Sequence, residues 1–245
     1  MKVAIIIPAR LGSTRLPNKV LIDLNGKPLI QRTFEACKGS LVCADIYIAV
    51  DDQRVFDVCR NFTSNVIMTS NEHISGTSRM TEAYLHTNAD IIINVQGDEP
   101  FIEPATIDAL ANALIANDNT LIASAYSEIK TEEEINNPNI VKVITDINSN
   151  AIYFSRFPIP YNRDKKEMEP SAYKKHIGIY GYKKEFLENF KNLQPSFLEN
   201  TERLEQLRFL ENGYSIKMIK VDAFEKGIDT EEDLIWARRK LVGSE

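Results

Sequence analysis

Three cations lie close together just beyond the first apolar run. They are Arg10, Arg15 and Lys19 in Pro8-Ala9-Arg10-Leu11-Gly12-Ser13-Thr14-Arg15-Leu16-Pro17-Asn18-Lys19. Binding a polyphosphate takes fixed positive charge and backbone N–H groups that can approach closely. Here Arg and Lys supply the charge, and Gly12 supplies the approach. The segment is not a Walker A loop, because Gly26-Lys27 is followed by Pro28 rather than Ser or Thr. It is not a GxGxxG turn either. A solvated basic loop stays open as the alternative.

Two carboxylates complement those cations. Asp98 sits in Gln96-Gly97-Asp98-Glu99-Pro100, directly after the apolar run 91–95. An Asp at a strand end could ligate Mg²⁺, which binds through few carboxylates plus substrate phosphates. Gly-Asp-Glu-Pro is equally good turn chemistry. Asp229 in Gly227-Ile228-Asp229-Thr230 is the possible partner. It could equally be a plain helix N-cap, since Thr230 to Asp233 resembles a capping sequence. Sequence does not show whether the two converge. His176 on its own reads as a structural hydrogen-bonding residue. Tyr153, Tyr180 and Tyr182 alternate with apolar residues and read as core.

These groups need elements to position them. Runs 3–7, 45–50, 65–68 and 91–95 read as strands. Between them lie amphipathic segments: one continuing from Pro28, one carrying Val55, Val58 and Cys59, and one over 77–85. Pro104 opens another helix. Strands alternating with helices predict right-handed βαβ units and a parallel sheet. Ligands of such sheets bind beyond the carboxyl ends of the strands. The polar segments after the first, second and fourth strands should therefore share one edge. In the second half, 141–144, 151–154, 176–182 and 216–221 read as strands with fewer helices between them. Residues 199–210 read as one helix that Gly213 could cap. Residues 162–171 read as a mobile loop, 132–134 as a solvated helix start, and the last helix begins at Asp229 or Thr230.

Composition excludes several classes. The chain has 245 residues and a formal net charge of −6, from 29 Lys plus Arg against 35 Asp plus Glu. A pI near 5.3 argues against general nucleic-acid binding, while local basic clusters could still hold phosphates. No apolar run reaches the roughly 18–20 residues that cross a bilayer. The cysteines, Cys37, Cys43 and Cys59, are odd in number with no CxxC spacing, which argues against a disulfide framework or zinc site. A reducing cytoplasm is the expected compartment.

The ordered set of motifs resembles the 3-deoxy-manno-octulosonate (Kdo) cytidylyltransferases, or CMP-Kdo synthetases. It comprises the basic loop, Ser75-Gly76-Thr77, Asn94 to Pro100, Tyr153-Phe154-Ser155-Arg156, His176-Ile177-Gly178-Ile179-Tyr180-Gly181-Tyr182, the segment 202–208 with its Leu-Glu-Gln-Leu-Arg core, and Asp229-Thr230-Glu231-Glu232-Asp233-Leu234. The likeness spans nearly the whole chain. It implies an α/β, nucleotide-diphospho-sugar transferase-like fold: a mostly parallel sheet flanked by helices, with an inserted mixed β dimerisation region. It implies one cytidylyltransferase domain over 1–245, with a CTP-binding half to about residue 130, a sugar and dimer region to about 215, and a returning strand and helix over 216–245. The implied reaction is CTP + Kdo → CMP-Kdo + diphosphate, for lipopolysaccharide biosynthesis, in a homodimer.

By that resemblance Arg10, Gly12, Ser13, Arg15 and Lys19 hold the CTP phosphates. Ser75, Gly76, Arg79 and Gln96 serve the nucleoside. Asp98 and Asp229 are the Mg²⁺ ligands, and Arg156, His176, Tyr180, Glu205 and Gln206 line the sugar-acid pocket. Two positions depart from the pattern. Ser78 replaces an expected Glu in Ser-Gly-Thr-Glu-Arg, and Pro158 follows Arg156 where no proline is expected. Activation of 8-amino-Kdo or another sugar acid, and a non-catalytic nucleotide-binding protein, are the alternatives.

Overall fold

The computed structural model describes residues 1–13, 15–73, 75–164, 169–222 and 227–242. Thr14 of the basic loop and residues 165–168 of the expected mobile loop lie outside the described residues. The chain folds into two compact units, Met1–Ala111 with Glu225–Glu245, and Asn112–Phe224.

The first unit carries β1 (Val3–Ala9), a 3₁₀ turn (Lys19–Leu21), α1 (Leu29–Cys37), β2 (Asp45–Val50), α2 (Gln53–Arg60), β3 (Val66–Met68), α3 (Gly76–Tyr84) and β4 (Ile91–Asn94). Its four strands are parallel, in the order β3-β2-β1-β4. All seven residues of β1 are buried, as expected of a strand with neighbours on both sides. The chain winds from β1 through β2 to β3 on one side and places β4 on the other. The carboxyl ends of β1 and β4 therefore flank the crevice where such sheets bind ligands. Pro28 is the N-cap of α1 rather than part of its first turn. The chain leaves this unit along α4 (Pro104–Ala116) and returns to it for α9 (Glu231–Val242).

Leu16, Leu24, Leu29, Ile228, Leu234 and Ala237 form one buried cluster in this unit. A fully buried Leu or Ile contributes about 1.5–3 kcal/mol. Leu16 thus anchors the basic loop, and Ile228 anchors the segment ahead of α9, on the same apolar nucleus.

The second unit carries β5 (Ile122–Glu128), α5 (Glu132–Asn136), β6 (Lys142–Thr145), β7 (Ala151–Ser155), β8 (Lys174–Lys183), α6 (Lys184–Asn189), α7 (Phe197–Glu202), α8 (Gln206–Glu211) and β9 (Ile216–Lys220). Its sheet is mixed. β5 pairs antiparallel with β8 and parallel with β9, and β6 pairs antiparallel with β7 and β8. Two expectations need correction here, the strand β5 and the helix over 199–210. The strand β5 is absent from the sequence reading, because Ile-Ala-Ser-Ala-Tyr-Ser is rich in small residues with weak strand preference. The second unit begins at 112, ahead of β5, and runs on through β9 because β5 pairs with both β8 and β9. The helix expected over 199–210 is two helices, broken where Arg203 takes left-handed backbone angles, φ 56° and ψ 47°. Arg208 and Glu199 form a two-pronged ion pair across that break.

Candidate active site

The polar segments after β1, β2 and β4 do share one edge. A cavity of about 200 Å³ opens there, lined by Pro8, Arg10, Gly12, Ser13, Arg15, Lys19, Val20, Gln96, Gly97, Asp98 and Asp229. A second cavity of about 130 Å³ is lined by Pro8, Arg10, Ser75, Gly76, Arg79 and Gln96. Pro8, Arg10 and Gln96 are common to both, so the two spaces share a wall.

Asp98 and Asp229 converge. The Ile228 N–H donates to the Asp98 carbonyl at 2.9 Å, which brings the two chain segments side by side. The Lys19 ammonium lies between the carboxylates, donating to Asp229 Oδ1 at 2.7 Å and to Asp98 Oδ2. Arg15 pairs with Asp229 Oδ2 at 2.8 Å. Burial works against the charge on Lys19, but the two carboxylates outweigh it and hold the ammonium above the ordinary lysine pKa. Asp229 is not the cap of α9. Asp233 Oδ2 accepts from the N–H groups of Asp229 and Thr230 at 3.0 and 2.9 Å, and Thr230 Oγ1 accepts from Asp233 N at 3.2 Å. With Thr230 and Asp233 capping the helix, the Asp229 carboxylate is left to the site.

This donor set suits a hard cation of few protein ligands. Two carboxylates meet at one point, and no group of three His, Cys, Asp or Glu residues forms a metal cage among the described residues. Mg²⁺ takes one or two carboxylates and completes its shell with phosphates and water. Glu99, next in the chain within the Gly-Asp-Glu-Pro turn, is a buried carboxyl. Burial and the adjacent Asp98 push it up to about 8, against the pull of Lys19. It therefore adds little charge to the site at neutral pH.

The second cavity is built on the start of α3. Ser75 and Ser78 cap this helix reciprocally, with Ser78 N–H donating to Ser75 Oγ at 3.1 Å. A Cβ on Gly76 would sit 3.3 Å from Gln96 Oε1 and 3.4 Å from Pro8 Cγ, so the missing side chain lets the helix start approach Pro8 of β1 and Gln96 beyond β4 closely. Arg79 is almost wholly buried. It donates to Asp51 Oδ2 at 2.8 Å, Thr69 Oγ1 at 2.7 Å and the Ser70 carbonyl at 3.1 Å.

The residues expected to bind the sugar acid lie in the second unit. β8 carries a bulge: Ser124 pairs with Tyr180 and Ala125 with Ile177, leaving Gly178 and Ile179 without partners. In a regular strand residues 176 and 180 would stand roughly 13 Å apart. The bulge folds them together, and Tyr180 OH meets His176 Nε2 at 2.9 Å. Ser124 Oγ also contacts His176 Nε2, at 3.2 Å. Burial pushes His176 down to about 3 and raises the Tyr180 phenol well above its ordinary value. Both are neutral at working pH, so His176 is a hydrogen-bonding group rather than a charge. Gly178 within an apolar run was the available signal for this bulge.

Arg156 stands at the end of β7. Its guanidinium donates to the Glu202 carbonyl at 2.8 Å, the Pro138 carbonyl at 3.0 Å and the Arg203 carbonyl at 3.4 Å. The Glu202 carboxylate answers by accepting from Ser155 Oγ at 2.6 Å and Arg156 N at 3.0 Å. Arg156 thus braces the turn that leads to Glu205 and Gln206. Gln206 is buried, and its Nε2 has no partner among the described residues, which leaves a donor for an incoming acceptor. Sequence reasoning missed Lys142, a buried ammonium donating to the carbonyls of Asn137, Ile140 and Arg156 at 3.0, 2.6 and 2.7 Å.

The cytidylyltransferase family model matches residues 4–220. The chain is 47% identical to the 3-deoxy-manno-octulosonate cytidylyltransferase of Chloroherpeton thalassium over 238 residues, covering 96% of this chain and 95% of that one. It is 43% identical to the enzyme of that name from Solibacter usitatus, covering 95% and 92%. The chain belongs to the 3-deoxy-manno-octulosonate cytidylyltransferase family. A CMP:2-keto-3-deoxy-manno-octonic acid synthetase complexed with CTP matches the whole of both chains at 38% identity, with a TM-score of 0.95. A 4-diphosphocytidyl-2C-methyl-D-erythritol synthase from Anaerococcus prevotii shares the fold, at 15% identity and a TM-score of 0.63.

The family's pattern leaves two departures in this cytidylyltransferase. Ser78 keeps the reciprocal cap of α3 in place of the expected Glu, so the local geometry survives the lost carboxylate. Pro158 lines a separate cavity of about 520 Å³ together with Phe157, Pro160 and Tyr161.

His176 gives a stability test independent of catalysis. The unfolded side chain titrates near 6.5 and the folded one at about 3. Between those values the unfolded chain binds the extra proton. The contribution is therefore fully present above about 6.5 and is lost as pH falls towards 3. Urea unfolding at pH 7.0, 5.5 and 4.5 should show wild type losing stability more steeply than His176→Gln. Parallel pH profiles for the two proteins would refute the buried neutral imidazole.

Proposed function

We infer that this enzyme transfers the cytidylyl group of CTP to 3-deoxy-manno-octulosonate, releasing diphosphate. The observation that carries this reading is the meeting of Asp98 and Asp229 across Lys19, beside Arg10 and Arg15, at the strand ends of a cytidylyltransferase.

The anomeric hydroxyl oxygen of the sugar acid attacks the α-phosphorus of CTP. The new O–P bond forms as the bond to the bridging oxygen of the β-phosphate breaks, and the hydroxyl proton passes to solvent. No covalent nucleophile is needed, and the chain offers none among its thiols: burial pushes Cys43 up to about 11 and Cys59 up to about 12, and raises Cys37 as well. Catalysis of this kind rests on positioning and charge neutralisation.

Arg10, Arg15, Lys19 and the backbone at Gly12 and Ser13 hold the triphosphate and oppose the charge that develops on diphosphate. Ser75, Gly76 and Gln96 take the nucleoside side, with Arg79 behind them. Asp98 and Asp229 would hold Mg²⁺, which when bound neutralises phosphate charge and eases ionisation of the attacking hydroxyl. Glu205, Gln206, His176 and Tyr180 receive the sugar acid, and Arg156 holds their turn while keeping two N–H groups for the substrate carboxylate.

We place the reaction in the cytoplasm, at the supply of activated sugar for lipopolysaccharide, and assign a homodimer. No helix of the described residues is long and apolar enough to cross a membrane. Large apolar side chains exposed on the second unit, Phe157 at 68% and Tyr161 at 74%, support a partner surface. Light scattering should return twice the chain mass.

The deciding assay is diphosphate release from CTP and Mg²⁺ with Kdo, 8-amino-Kdo or a sialic acid, each with and without EDTA. Release with Kdo that EDTA stops is expected. Folded protein inactive with every sugar acid would overturn the reading. Arg156→Ala should raise the KM for Kdo by about tenfold, the cost of a lost charge-assisted bond. A selective loss of CTP affinity would place Arg156 in the other pocket.

A further inference from the structure

Asp51 lines neither cavity, yet both depend on it. It is the first residue beyond β2, and its side chain is only 14% exposed. Asp51 Oδ1 accepts the backbone N–H of Leu11 at 3.0 Å, in the middle of the basic loop. Asp51 Oδ2 accepts Arg79 Nη2 at 2.8 Å, at the wall of the second cavity. One carboxylate thus ties the loop that carries Arg10 to the helix that begins at Ser75-Gly76.

The electrostatics give that tie a purpose. Arg79 is 2% exposed in its side chain, and Asp51 is its ion-pair partner. Arg10 lies near enough to act on Arg79 as a like charge, and Asp51 acts against that repulsion. A loop meant to bind a polyphosphate must hold its cations together before the anion arrives, or binding energy is spent ordering them. A buried arginine left without its carboxylate carries an uncompensated charge.

We propose that Asp51 is a positioning residue of the nucleotide site: it fixes the backbone between Arg10 and Gly12 and orients Arg79, and so presets the enzyme for CTP without touching it. This rests on the reading of the basic loop as the phosphate site, so Arg10→Ala is the control.

The test is steady-state kinetics on Asp51→Ala, Asp51→Asn and Arg10→Ala, with folding checked by circular dichroism. Hydrogen exchange at the Leu11 amide is followed in the two Asp51 variants. Asp51→Ala removes both bonds and should raise the KM for CTP by at least tenfold, leaving the KM for Kdo within twofold. Asp51→Asn keeps an acceptor for Leu11 and should raise the KM for CTP by three- to fivefold. Exchange at Leu11 should quicken in the alanine variant and stay slow in the asparagine one. A CTP KM within twofold of wild type in folded Asp51 variants, with Arg10→Ala impaired, overturns the inference alone. Equal rises in both substrates' KM values also overturn it, because a merely structural residue would do that. If Arg10→Ala binds CTP normally, the phosphate reading of the loop fails and the inference fails with it. Should Asp51→Ala not fold, the asparagine variant decides by the same criteria.

Discussion

Asp98→Asn should lower kcat by about 10³-fold, roughly 4 kcal/mol of transition-state stabilisation at 1.36 kcal/mol per decade. The substitution removes one of the two charges that meet at Lys19 and halves the carboxylate set available to Mg²⁺. It spares the fold, because the contact that docks the Asp229 segment is made by the Asp98 backbone carbonyl, not its side chain. The melting temperature should therefore move by only a few degrees, and the far-ultraviolet spectrum should match wild type. Excess Mg²⁺ should recover part of the activity. A folded variant within fivefold of wild-type kcat would remove Asp98 from the chemistry.

Lys19→Met should cut kcat by about 10²-fold, the scale seen when one stabilising donor is lost. It also has a consequence visible without substrate. In wild type the ammonium is the counter-charge that both carboxylates share, with exposed Arg15 reaching only Asp229. Without it, Asp98 and Asp229 face one another with less compensation, and their like charges repel. In EDTA the variant should melt lower than wild type. Millimolar Mg²⁺ should raise its melting temperature by more than it raises that of wild type, because a ligand stabilises the state that binds it. Equal Mg²⁺ responses in the two proteins would mean that the Asp pair is not the cation site.

Much of the first unit is legible along the chain. The short continuous apolar runs of β1 and β4 read as strands covered on both faces, and strands alternating with amphipathic helices predict parallel winding. That winding alone says which loops must meet, and the basic loop and Asp98 do meet at one cavity. The second unit is less legible. β5 is made of small side chains, so its identity comes from the strands beside it rather than from its own preferences. The helix read over 199–210 is periodic enough to be continuous. It breaks at Arg203 because Arg156 and Glu202 hold that turn from β7, a contact of distant residues that no local pattern records.

The sequence by itself determined the α/β class, the strand ends that bear charge, and membership of the cytidylyltransferases through motifs in order. The class and the charged strand ends follow from composition, periodicity and spacing, which act over a few residues, and the membership follows from the resemblance of the ordered motifs. Tertiary structure alone decided that Asp229 turns to Lys19 while Thr230 and Asp233 cap the helix, that Asp51 joins two segments, and that Arg156 is braced by carbonyls. Each depends on which of several chemically suitable partners stands within about 3 Å. That choice is made by packing between elements far apart in the chain, and short-range preference cannot make it.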